Sequence, residues 1–154
     1  MKGLKINKIL CLLICIIIVI FNLLLDHFYA PHGIDSTPFL VILIVVLLNA
    51  IENKFNIWLR IFLTYLFIGI NDIGIKLYGG GVHDPEGQGF VLLFLFMGLI
   101  PGLLILSITI IKDKKLSALT KTTALFAFLI LLGLHLYLFE NLGIGRVYPI
   151  HNLP

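Results

Sequence analysis

Asp72 and Lys76 stand four residues apart in an otherwise apolar stretch, directly after Asn71. That spacing puts the carboxylate and the ammonium on one helical face, an arrangement that favours an ion pair. The lysine stem is also long enough to carry its ammonium outward to lipid headgroups. In a second apolar stretch, His135 precedes Glu140 by five residues. At 1.5 Å rise per residue this is a depth of roughly 7 Å, close to that of Asp72. Asn22 and Asp26, again four apart, share a face in a third stretch. Ionisable groups inside apolar segments are costly and mark function by default. Asp72, Lys76 and His135 are therefore the candidate catalytic residues, with Asp72 and His135 as proton-handling or ligand groups in an outward-opening pocket. The competing reading is a buried hydrogen-bonded cluster that sets helix packing and register.

A second set lies in the segment Gly79-Gly80-Gly81-Val82-His83-Asp84-Pro85-Glu86-Gly87-Gln88-Gly89, where five of eleven residues are glycine. Such a backbone can turn tightly or approach a ligand closely. His83, Asp84 and Glu86 are candidate metal ligands or acid–base groups. Asp26, His27, His32 and Asp35 precede them in the chain, and His151 follows. A divalent metal such as Ca²⁺, Mn²⁺ or Zn²⁺ suits these side chains, although they match no recognised ligand spacing. The competing reading is a solvated, glycine-rich turn.

The elements that position these groups follow from composition. The chain has 154 residues, 60% hydrophobic and 12% charged, where a soluble domain carries about 25% charged. Too few polar residues exist to cover a soluble surface, which excludes an ordinary soluble enzyme, a disordered chain and a disulfide scaffold. Crossing a bilayer takes roughly 20 apolar residues as helix, and five stretches qualify. They run from Ile9 to Leu25, from Ser36-Thr37-Pro38 to Ile51, from Phe55 to Tyr78, from Phe90 to Ile111 and from Leu119 to Glu140. The second start is read from a capping hydroxyl and a first-turn proline. The reading is an all-α, polytopic transmembrane bundle over residues 1–154 without a soluble domain. A cleaved first segment would leave four spans. The site after it disfavours cleavage, because Phe28-Tyr29-Ala30 lacks the small-residue pattern and Pro31 follows.

Basic residues orient the spans. With the N-terminus inside, Lys2, Lys5, Lys8, Lys54, Arg60, Lys112, Lys114, Lys115 and Lys121 are inner, and only Lys76 and Arg146 are outer. Asp26, Asp35, Asp72, Asp84, Glu86 and Glu140 fall outside, and Glu52 and Asp113 inside. The protein is expected N-in and C-out, in a bacterial cytoplasmic membrane. Its net charge of +3 reports topology, so membrane lipid is a partner and nucleic acid is not.

Gly98 and Gly102 make a small-xxx-small seam around Pro101, the expected interaction residues. Cys11 and Cys15 share a helical face and cannot bridge each other. Arg60 is expected to snorkel to the inner surface, Asn49 to hydrogen-bond a neighbour, and Tyr29, Tyr78, Tyr137 and Tyr148 to anchor the outer interface. Asp72 and Lys76 resemble the Asp-x-x-x-Lys element of the lipoprotein signal peptidases. That family's paired aspartates, in Gly-Asn-x-x-Asp-Arg and Asp-Phe settings, have no counterpart here, and the assignment falls.

Three functions compete. The first is an interaction or assembly subunit of a membrane complex, of accessory, immunity or defence type, or a homo-oligomer. The second is an outward-facing membrane enzyme or metal-binding protein using Asp72, His83, Asp84 and His135. The third is an oligomeric channel or transporter lined by the same groups.

Overall fold

A computed structural model describes residues 7–50 and 55–148. Lys2, Lys5, Glu52, Lys54 and His151 lie outside the described residues. Five helices are long and apolar enough to cross a membrane, each near an expected span. They are α1 (Lys8–Tyr29), α2 (His32–Ala50), α3 (Ile57–Tyr78), α4 (Pro85–Ile111) and α5 (Ala118–Leu138). The protein is an all-α, multi-pass membrane bundle.

Local side chains satisfy the orphan amides at helix starts. Asn7 accepts from Ile9 N, Asn56 from Trp58 N, and Ser117 Oγ from Thr120 N at 3.1 Å. α4 begins five residues before the expected Phe90. Asp84 Oδ1 accepts from Gly87 N at 2.7 Å, and Pro85 occupies the first turn, where its missing N–H costs nothing.

α2 likewise begins earlier than Ser36. Asp26, at the end of α1, supplies the terminating acceptor, with its Oδ1 3.1 Å from Ile34 N. Ser36 and Thr37 consequently lie inside the helix, where both hydroxyls donate to Gly33 O. Pro38 is internal as well.

α3 is the centre of the bundle, packed against each of the other four helices. In its apolar window 56% of residues are buried, against 17% in α5. Its buried positions Ile57, Ile61, Thr64, Ile68, Asn71 and Ile75 repeat at three- and four-residue intervals and form one stripe. Arg60 lies on this stripe, so it does not snorkel. It is 1% exposed, and among the described residues its Nε and Nη1 have no hydrogen-bond partner.

The most extensive contact joins α2 to α4. Both Gly98 and Gly102 face it. A Cβ on Gly98 would sit 2.8 Å from Pro38 Cα, and one on Gly102 would sit 3.3 Å from Val45 Cγ2. The expected small-residue seam therefore brings two helices of the same chain together. Both glycines are buried against α2, the close helix packing that small residues allow.

Five alternating crossings bring the α1–α2 corner, the α3–α4 loop and the segment after α5 to one end. There β1 (Gly81–Val82) pairs antiparallel with β2 (Val147–Tyr148), and Gly80 N donates to Asp26 O at 3.1 Å. Tyr29, Tyr78 and Tyr137 are exposed at this end. The side chain of Tyr148 lies outside the described residues. Cys11 and Cys15 are free and buried, and Asn49 Nδ2 donates within its own helix to Val45 O at 2.7 Å.

Candidate functional site

Near the C-terminal end of α3, one turn separates Asp72 from Lys76, and both are buried. Lys76 Nζ lies 2.7 Å from Asp72 Oδ2. His135 of α5 brings its Nε2 to 2.9 Å from the same oxygen. Lys76 Nζ also donates to Phe139 O at 3.1 Å, a carbonyl just past the end of α5 that accepts from Leu142 N at 3.3 Å as well. The three residues are 2%, 0% and 2% exposed. Lys76 therefore takes the ion-pair option and does not reach outward.

The chemistry of this group is that of a shared carboxylate. Oδ2 accepts from an ammonium and an imidazole on two different helices. Among the described residues, Oδ1 and His135 Nδ1 are buried without hydrogen-bond partners. Aromatic rings enclose the imidazole: Tyr65 meets it edge-on at 5.8 Å and Phe139 lies 4.9 Å away. Gly69 leaves room for it, since a Cβ there would sit 3.3 Å from Nδ1.

A neutral network adjoins this group on the α1–α2 side. Asn22 Nδ2 donates to Asn71 Oδ1 at 2.9 Å, and Ser36 Oγ donates to Asn22 Oδ1. Asn71 Nδ2 reaches Thr37 Oγ1 at 3.4 Å. Asn71 and Asp72 thus point to different neighbours, one tying α3 to α1 and α2, the other tying it to α5. Shared depth on three helices was legible from spacing. Ser36 and Thr37 were missed as network members because their Ser-Thr-Pro context reads as a helix start.

The cleft at this end lies elsewhere than the expected pocket. Asp26, Ile34, Ile75, Gly80, His83, Gly87, Gln88 and Val91 line a cleft of about 30 Å³. Asp26 is 1% exposed, and among the described residues its Oδ2 is buried without a hydrogen-bond partner. Two close approaches hold it: Asp26 Cβ fills the space beside Gly33, and Oδ2 the space beside Gly79, where a side chain would otherwise extend. Asp72 and His135, the expected pocket residues, do not line this cleft. Gln88, which does, was missed. It lies one turn after the capping Asp84, and Nε2 donates to Glu140 O at 2.6 Å.

The loop residues divide rather than converge. His83 Nε2 lies 2.8 Å from Gly79 O, and since a carbonyl only accepts, this nitrogen carries a proton. Asp84 caps α4, and Glu86 is exposed in its first turn. The expected metal set His83, Asp84 and Glu86 is thus not gathered: among the described residues, no group of three His, Cys, Asp or Glu could hold a metal ion. His27 Nδ1 donates to Tyr78 O at 2.8 Å, and His32 faces Asp35 at 3.8 Å in an exposed pair.

The chain after α5 completes the cap. His83 N donates to Arg146 O at 3.0 Å, and Gly145 N donates to His83 O at 2.7 Å. Gly143, at φ +87°, passes so close to Lys76 O that a Cβ would collide with it. No protein-family model, curated protein or solved structure matches this chain.

Proposed function

We infer that the chain is a non-catalytic interaction or assembly subunit of a membrane complex, of accessory, immunity or defence type, in a bacterial cytoplasmic membrane. The observation that carries this reading is the shared Asp72 oxygen. Lys76 and His135 both close on it, and all three groups are at most 2% exposed. Paired in this way, they fasten α5 to α3. In the enzyme and channel readings, Asp72 and His135 would instead meet a substrate or an ion. α5 is the least buried span, and it leaves Leu119, Phe126, Ile130, Leu134 and Tyr137 exposed. This face suits lipid, a second copy or a partner helix.

The test uses single cysteines at Phe126, Ile130 and Leu134 in a chain lacking Cys11 and Cys15. Cross-linking in native membranes should give one adduct of constant size from adjacent positions. A chain monomeric at every position, whose phenotype disappears in Asp72→Asn without loss of folded protein, would overturn the assignment in favour of a chemical role.

A further inference from the structure

We propose that the turn between α4 and α5 holds the headgroup of an anionic phospholipid, with the lipid chains against the apolar ends of the two helices. Residues 112–121 carry Lys112, Lys114, Lys115 and Lys121 against one acid, Asp113. Lysines clustered directly beyond a membrane span attract anionic headgroups. Asp113 folds back on the turn, its Oδ1 accepting from Lys115 N at 3.1 Å. Lys121 Nζ donates to Ile111 O at 2.8 Å, at the end of α4. The other three lysines are exposed, and among the described residues no carboxylate pairs with them.

The remaining described cations at this end are engaged elsewhere. Lys8 Nζ lies over the Phe55 ring, 5.4 Å from its centroid, and Arg60 is buried. Among the described residues, the accessible positive charge of this end is therefore concentrated at one turn. Its border is apolar: Ile108 and Ile111 of α4 and Leu119 of α5 are exposed beside the lysines. α4 and α5 follow each other in the chain, yet they touch far less than α3 and α5 do. They are joined by the turn and, at the opposite end, by Gln88 Nε2 on Glu140 O. Between these ties little of either flank is covered by the other. A soluble polyanion would leave the apolar border unused, whereas a phospholipid uses both parts, phosphate on the ammonium groups and hydrocarbon on Ile108, Ile111 and Leu119. Lysine suits a mobile phosphodiester, because its ammonium is a point charge on a flexible stem. This site is independent of the Asp72 cluster and of the assembly role.

The experiment uses the full chain with its one tryptophan moved to the start of α5, by Trp58→Phe and Leu119→Trp, in phosphatidylcholine vesicles. Brominated phosphatidylglycerol and brominated phosphatidylcholine are compared as quenchers of its fluorescence. The association constant for phosphatidylglycerol should exceed that for phosphatidylcholine by about fivefold or more, the equivalent of one lysine at the surface. The preference should vanish towards 1 M salt, where the Debye length falls to about 3 Å. It should also vanish in Lys112→Gln/Lys114→Gln/Lys115→Gln. Lys2→Gln/Lys5→Gln/Lys8→Gln, which removes the same charge from the N-terminal segment, should retain it. The salt series needs no lysine variant, so the test stays decisive if a triple variant fails to insert. Equal quenching by the two lipids, or a preference unmoved by salt, overturns the proposal. So does a preference that survives loss of the turn lysines, or one lost equally in both triple variants, which would assign the attraction to the whole face.

Discussion

His135 Nε2 meets Asp72 Oδ2 at 2.9 Å across the interface of α5 and α3, at an oxygen already held by Lys76. α5 buries only Ala124, Phe128 and His135, so this contact, together with Lys76 Nζ on Phe139 O, supplies the polar fastening of the fifth span to α3. Within hydrocarbon there is little hydrophobic drive between helices, and packing and polar contacts do the fastening.

Removing one member of this cluster should cost more than removing both charges. Asp72→Leu leaves the Lys76 ammonium buried and unpaired, at a cost of about 3–5 kcal/mol. The double variant Asp72→Leu/Lys76→Leu should recover part of that loss. Unfolding in mixed micelles measures all three chains. A double variant less stable than both singles would count against a desolvated pair.

The neutral network should weigh less. Replacing Asn71 by Leu removes hydrogen bonds to Asn22 and Thr37, and each such bond in a membrane protein contributes about 0.6–2 kcal/mol. The measured loss should therefore be smaller than that of Asp72→Leu under the same conditions. Equal losses at the two positions would contradict the different electrostatic roles assigned to them.

The two seam glycines of α4, Gly98 and Gly102, should differ. A Cβ at Gly98 would stand 2.8 Å from backbone of α2, whereas the nearest atom to one at Gly102 is a valine methyl at 3.3 Å. Gly98→Ala should destabilise by about 1–3 kcal/mol, as overpacking does. Gly102→Ala should cost less, since the methyl of Val45 can give way. The reverse ranking in thermal unfolding would mean that the α2–α4 seam is packed differently.

Orientation is open to a labelling test. In a chain lacking Cys11 and Cys15, a cysteine replacing Glu86 should react with an impermeant maleimide in intact cells. One replacing Lys114 should react only after permeabilisation. Both positions are exposed in the structure, so accessibility does not confound the comparison. Labelling in the opposite order would invert the N-in topology.

The spans were legible because apolar runs near bilayer length have few alternative uses. The depth match of Asp72 with His135 was legible too, since helical rise turns sequence distance into depth. What escaped was direction. Arg60 resembles any basic residue near an inner helix end, until the stripe that includes Ile57, Ile61 and Thr64 is followed through it. The cleft escaped for a different reason. Asp26, His83 and Gln88 come from separate elements, and their meeting depends on an α1–α2 corner whose helix start was set by a side chain from the preceding helix. The Ser-Thr-Pro signal was real chemistry at the wrong position. Those hydroxyls bond backwards to Gly33 O and, through Ser36, to Asn22.

The pairing of β1 with β2 has a consequence for biogenesis. Arg146 and Gly145 give His83 its backbone partners, and Glu140 O receives the Gln88 amide. All three emerge from the ribosome after the fifth span. The first four helices can therefore insert and pack while the outer rim is still open. Closure waits until α5 has crossed and its following segment has reached the far side. Chains arrested before that crossing would leave the His83 backbone without its Arg146 and Gly145 partners.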